Sequence, residues 1–223
     1  MNKSAYIAFT APSYRVLNIL ATLGLILIGF LADVYIGTVG IVMLSTFGPV
    51  VLVFLDYFAF SGASTRRQRT MNYMKSSFKG EAFFRSALKT DIFLKEICLL
   101  FSFLGYIIAE VIYFTDADSF VNGILVLLIY LPVSEITMCV TLIISRKIAL
   151  SVIIQTAVCY FCSMISTFLL MFYSFIVPEQ LAEYTLTFVI MFFLLEAIHI
   201  LCAVLLYRDC VKGYTSSFTD TAN

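Results

Sequence analysis

Six apolar runs, each near the length of a bilayer crossing, follow one another along this chain and leave little of it for anything else. A helix needs about 20 apolar residues to cross ~30 Å of hydrocarbon. The runs place spans at about residues 14–36, 38–60, 92–114, 120–144, 148–177 and 181–207. The chain is 61% hydrophobic, where a soluble domain has roughly 45–50%. Its mean hydropathy of +1.00 is too high for one buried core. Backbone polar groups in hydrocarbon need internal partners, so only helices or a closed barrel can cross. The runs are continuous rather than alternating over ~10 residues, which disfavours a barrel. The predicted fold is an all-α membrane protein, a single transmembrane domain over residues 1–223 with six transmembrane helices. The first run does not read as a cleaved signal: no small-residue cleavage site follows it, and it leads directly into the second.

The charges set the orientation. Net charge is zero, but Lys3, Arg15, the eight basic residues Arg66, Arg67, Arg69, Lys75, Lys79, Arg85, Lys89 and Lys95, then Arg146, Lys147, Arg208 and Lys212, make up all 14 cations. With an even number of spans, every one lies on the same side. The opposite loops hold Asp33, Asp116, Asp118, Glu179 and Glu183 and no cation. By the positive-inside rule the basic side is cytoplasmic, so both termini are expected there, in the plasma (cytoplasmic) membrane. Trp is absent, and Tyr6, Tyr14, Tyr35, Tyr113, Tyr184 and Tyr207 fall near span boundaries, where an aromatic belt forms.

The six cysteines argue little. Cys159 and Cys162 match C-x-x-C, but the plain alternative is two small side chains on one face of a span, without further zinc donors nearby. No metal ligation is therefore predicted. The basic cluster lies between spans and carries no nucleic-acid-binding motif, so no nucleic-acid partner is expected.

The polar segment at 62–91 is the most informative stretch. Met71, Met74 and Phe78 are spaced three and four apart and share a helical face, with Arg, Asn, Lys and Ser opposite. Gly80 predicts a break. Phe84, Leu88 and Ile92 then form a new stripe leading into the third span. The pattern is a short amphipathic helix, a turn and a second helix entering the membrane. It fits a basic loop held on anionic lipid, where each cation adds ~1 kcal/mol, or a topology signal, or a docking helix whose Met and Phe side chains fill a groove on a cytosolic partner.

The string from Met74 to Glu81 (MKSSFKGE), followed by Phe84, Arg85, Ser86, Ala87, Leu88 and Asp91, resembles a segment of the small permease subunits of bacterial ATP-binding-cassette exporters. The sequence match covers about 20 residues; the six-span layout extends it over nearly the whole chain. The resemblance implies a cytoplasmic coupling helix between spans two and three. On it Arg67, Met71, Met74, Lys75 and Phe78 would contact a separate ATPase subunit that binds ATP and Mg. It implies a second permease, as an identical copy or a paralogue, and an interfacial entry helix before Tyr14. Many relatives carry re-entrant helices between spans five and six, whereas that loop is short here, with room for only a shortened version near Phe172 to Glu183. The chain is not expected to hydrolyse ATP or to be an enzyme. A P-loop needs G-x-x-x-x-G-K-[ST], and Gly-Lys occurs nowhere, so no cofactor is assigned to this chain.

Carboxylates inside spans are expensive and turn inward or toward water. Glu135 follows Pro132 in span four, and Glu196 lies in span six three residues before His199, the only histidine. Both glutamates lie about 15 residues past the outer end of their span, ~22 Å deep at 1.5 Å per residue. They would share a level if the two helices are neighbours. Together the three residues read as a polar patch on a substrate path, a proton-linked pair, or plain interhelical hydrogen bonds. A metal is not expected, because the Glu-x-x-His pattern of di-metal bundles occurs twice there and once here. Asp56 and Glu110 read as boundary residues reaching headgroups or water.

The leading expectation is an exporter subunit moving an amphipathic cargo (peptide, lipid or drug) on ATP hydrolysed elsewhere. A non-transporting membrane interaction or immunity protein is one alternative. A proton-coupled carrier built on Glu135, Glu196 and His199 is the other.

Overall fold

The computed structural model describes residues 6, 7, 10, 12–36, 39–56, 79–113, 117–147, 152–176 and 185–216. These form helices α1 (Pro12–Ile36), α2 (Val39–Asp56), α3 (Gly80–Ser102), α4 (Leu104–Tyr113), α5 (Ala117–Lys147), α6 (Val152–Ile176) and α7 (Thr185–Ser216). Pro12 opens α1, the position where a missing N–H costs nothing. Just before it, the Thr10 N–H bonds the Tyr6 carbonyl at 3.0 Å, one helical turn in the stretch expected to hold an entry helix.

α3 begins at Gly80, as the glycine break predicts, and not at residue 92 where the apolar run starts. Between α3 and α4 only Phe103 intervenes. Its N–H bonds the Leu100 carbonyl at 3.2 Å, a tightened turn that leaves Gly80–Tyr113 as one apolar length. α7 runs to Ser216, well past the apolar run, and carries Arg208, Asp209 and Lys212 on its last turns.

Four helices are long and apolar enough to cross a bilayer: Pro12–Tyr35, Gly80–Tyr113, Phe120–Arg146 and Thr185–Gly213. Shorter apolar helices occupy Gly40–Asp56 and Ile153–Phe168. Leu20, Leu23 and Leu27 on α1 and Phe193, Ile200 and Leu201 on α7 lie exposed. Apolar faces of that extent suit lipid and not water. This is the architecture of a multi-pass membrane protein.

α7 packs chiefly on α5, α1 on α2 and α4, and α2 on α6 and α5. α5 and α7 run parallel, since Ile129 clusters with Phe188 near one end and Arg146 reaches Cys210 near the other. Within the bundle small residues permit close approach. A carbon added at Gly105 would collide with the Ile26 carbonyl of α1, and one at Gly40 would meet the Asp33 backbone nitrogen at 2.7 Å. Short polar contacts tie the remaining helices. Thr46 and Thr167 hydroxyls meet at 3.0 Å between α2 and α6. Thr137 and Ser166 meet at 3.2 Å between α5 and α6. Gln155 donates its amide to the Val53 carbonyl at 3.1 Å.

Candidate functional site

Two buried polar clusters occupy the bundle. The first lies where α2 and α5 end, against the middle of α3. Asp56 closes α2 and is completely buried. Arg146 donates to it from Nη2 to Oδ1 at 2.6 Å and from Nε to Oδ2 at 3.2 Å, a two-pronged guanidinium–carboxylate pair. The same Nη2 donates to Asp91 Oδ2 of α3 at 2.9 Å. Lys95, one turn beyond Asp91, bridges both acids: its Nζ lies 2.9 Å from Asp56 Oδ1 and contacts Asp91 Oδ2. Arg146 Nη1 faces the Cys210 thiol of α7 at 3.6 Å. The Tyr14 ring of α1 sits 5.9 Å from Lys95 Nζ. Two acids and two cations balance, and five helices meet at this node.

Three sequence expectations change here. Asp56 is no boundary residue reaching water; Arg146 and Lys95 enclose it. Lys95 and Arg146, counted above among loop cations, point into the protein. Sequence reasoning missed the node because its charged members are separated by up to 90 positions, and only the packing of α2, α3 and α5 brings them together. Glu110 also turns inward: a carbon on Gly123 would lie 2.8 Å from its carboxyl carbon, so α4 and α5 press on it.

The second cluster unites the three residues singled out in spans four and six. His199 Nδ1 lies 3.2 Å from Glu196 Oε2, one turn back on α7, and 3.3 Å from Glu135 Oε2 on α5. The parallel packing of α5 and α7 makes the shared level real. Two further donors join them. Glu96 of α3 places Oε1 3.5 Å from His199 Nε2. Cys139, one turn after Glu135, belongs to the same group. Glu135 is 4% exposed, whereas Glu96 and Glu196 keep 21% and 27% of their side-chain surface open. Glu135 Oε2 and His199 Nε2 make no hydrogen bond. Glu96 was hidden in the sequence beside Lys95; the clue was an acid inside the apolar length of α3.

Cys159 is buried and Cys162 half-buried on α6, both free thiols. Among the described residues neither belongs to a group of possible metal donors. The expected partner-contacting residues Arg67, Met71, Met74, Lys75 and Phe78 lie outside the described residues. No family model, curated protein or solved structure matches this chain.

Proposed function

We propose that the chain is the transmembrane subunit of an ATP-binding-cassette exporter. In this reading α1, α2, α3 with α4, α5, α6 and α7 make six spans with both termini in the cytoplasm. A separate ATPase subunit, loaded with ATP and Mg, acts on residues 65–78, and a second permease completes the pathway for an amphipathic cargo.

One observation carries the reading. The helices on either side of the segment between α2 and α3 are tied to one buried node. Asp56 ends α2 just before the segment, Asp91 and Lys95 stand about three and four turns along the helix that follows it, and Arg146 grips both acids from α5. A force applied to that segment would pass through short charged contacts into α5, and through Cys210 into α7. A loop serving only as a topology signal has no need of such an anchor. The same end of the bundle gathers the start of α1 and the last turns of α7, through Tyr14 and Cys210. That supports an even number of spans and a shared side for the termini, and the positive-inside rule makes the side cytoplasmic.

The test is purification of the tagged chain from its native membrane in mild detergent, with mass spectrometry of bound proteins. A nucleotide-binding subunit is expected at near-stoichiometric yield, lost in the Met71→Asp, Met74→Asp, Phe78→Asp triple variant while the chain still inserts. A folded chain that carries no ATP-hydrolysing partner, or one whose partner survives the triple change, overturns the reading.

A further inference from the structure

We infer that Glu135, Glu196 and His199 form a binding site for a divalent transition-metal ion, with His199 Nδ1 as the nitrogen ligand. The inference is independent of the exporter reading. The argument from sequence against a metal was that Glu-x-x-His occurs once. The fold removes it, because α5 supplies the further carboxylate that a second motif would have brought and α3 a carboxylate for the other ring nitrogen.

Geometry comes first. Ions of the zinc kind hold nitrogen and oxygen ligands at 2.0–2.2 Å, so neighbouring ligand atoms around a tetrahedral ion stand about 3.4 Å apart. His199 Nδ1 stands 3.2 Å from Glu196 Oε2 and 3.3 Å from Glu135 Oε2. All three ligand atoms lie within 4.8 Å of one another. Glu135 is almost wholly buried, and its Oε2 is aimed into this space without a hydrogen bond.

The surroundings agree. A metal-bound histidine commonly turns its other ring nitrogen toward a carboxylate, which fixes the tautomer and raises ligand basicity. Here Nε2, with no hydrogen bond of its own, faces Glu96 Oε1 at 3.5 Å. Charge agrees too. Three carboxyl groups surround one imidazole, and a dication would offset the negative charge they carry when ionised. An imidazole among carboxylates selects zinc, cobalt or iron over magnesium or calcium, which prefer all-oxygen sites.

The experiment uses the full chain in detergent, stripped with EDTA, loaded with Zn2+ or Co2+ and passed through gel filtration. Metal per chain is read by mass spectrometry and Co2+ coordination by its visible spectrum. The wild type is expected to retain about one ion per chain against excess Mg2+. Glu196→Gln and His199→Ala are expected to retain none, Glu96→Gln to bind ~10–100-fold more weakly, and Cys139→Ser to bind as the wild type does. Circular dichroism and elution volume report folding in parallel. If His199→Ala does not fold, the near-isosteric Glu196→Gln decides. Failure of the folded wild type to retain either metal overturns the proposal, as does undiminished retention in Glu196→Gln. Loss in Cys139→Ser with retention in Glu196→Gln would likewise overturn it, moving the ion to the opposite face of the imidazole.

Discussion

Lys95 and Glu96 are consecutive on α3, yet each belongs to a different buried cluster. Successive helical side chains diverge by about 100°, so α3 presents one to Asp56 and Asp91 and the other to His199. The Lys95 cluster matches two acids with two cations in tight, multidentate contacts. The Glu96 cluster sets three acids around one imidazole at looser distances of 3.2 to 3.5 Å. Burial of charge is tolerable only when partners compensate the lost hydration. The first cluster carries its compensation within the chain and so behaves as a fastening. The second is short of positive charge and is built to receive it.

Breaking the fastening should give the largest effect. Arg146→Met leaves Asp56 and Asp91 with only Lys95 among the contacts described here, and loss of one partner of a buried pair costs about 3–5 kcal/mol. The expected outcome is loss of a monodisperse protein in detergent, or a steep fall in its thermal midpoint. Removing one acid and one cation together keeps the balance. The Asp91→Asn, Lys95→Met double variant should therefore melt above the sum of its single effects, with a coupling of about 0.5–3 kcal/mol. Additive singles would mean that the node is not one unit.

The second comparison is one of sign. Asp56→Asn takes an acid from a balanced set and should destabilise. Glu135→Gln, with metal chelated, takes an acid from an overcharged set and should raise stability by about 1 kcal/mol, since an uncompensated buried charge is unfavourable. Thermal melts in EDTA of the two variants beside the wild type check both. Equal destabilisation by the two substitutions would erase the distinction between the clusters. On addition of Zn2+ the wild type should gain midpoint and Glu135→Gln should not, a result that depends on the metal site argued above.

The two clusters were unequally legible in the sequence. Glu135, Glu196 and His199 could be found because each interrupts an apolar run, and counting along the helices put the two glutamates at one depth. Glu96 could not, because Lys95 beside it made the pair look like the tail of the polar segment ending near Asp91. Asp56 and Arg146 were misread for a related reason. Charges at the end of an apolar run look the same whether they reach water or turn inward, and rotation of the helix decides which. That rotation is set by packing between α2, α3 and α5, to which no local pattern has access. The helix bounds show the same limit: hydropathy marks where apolar character starts, whereas α3 begins at Gly80 and α7 continues through Arg208, Asp209 and Lys212 because helix propensity does not stop at a bilayer surface.

The smallest expected effect concerns how far the fastening extends to α1. The Tyr14 hydroxyl is buried and makes no hydrogen bond, while its ring lies 5.9 Å from the Lys95 ammonium. Tyr14→Phe keeps the ring and removes an unsatisfied polar atom, so stability should be unchanged or slightly higher. Tyr14→Leu removes the ring's attraction for the cation, worth about 0.5–1 kcal/mol and more where water is excluded. The difference between the two variants in thermal midpoint holds the Lys95–ring contact together with the packing change, because both lose the hydroxyl. Their ranking with Lys95→Met as background closes the argument: without the ammonium, the part of the Phe–Leu difference due to cation attraction should vanish, leaving packing alone. A difference that persists undiminished there would confine the charged fastening to α2, α3, α5 and α7, with α1 held by apolar contact.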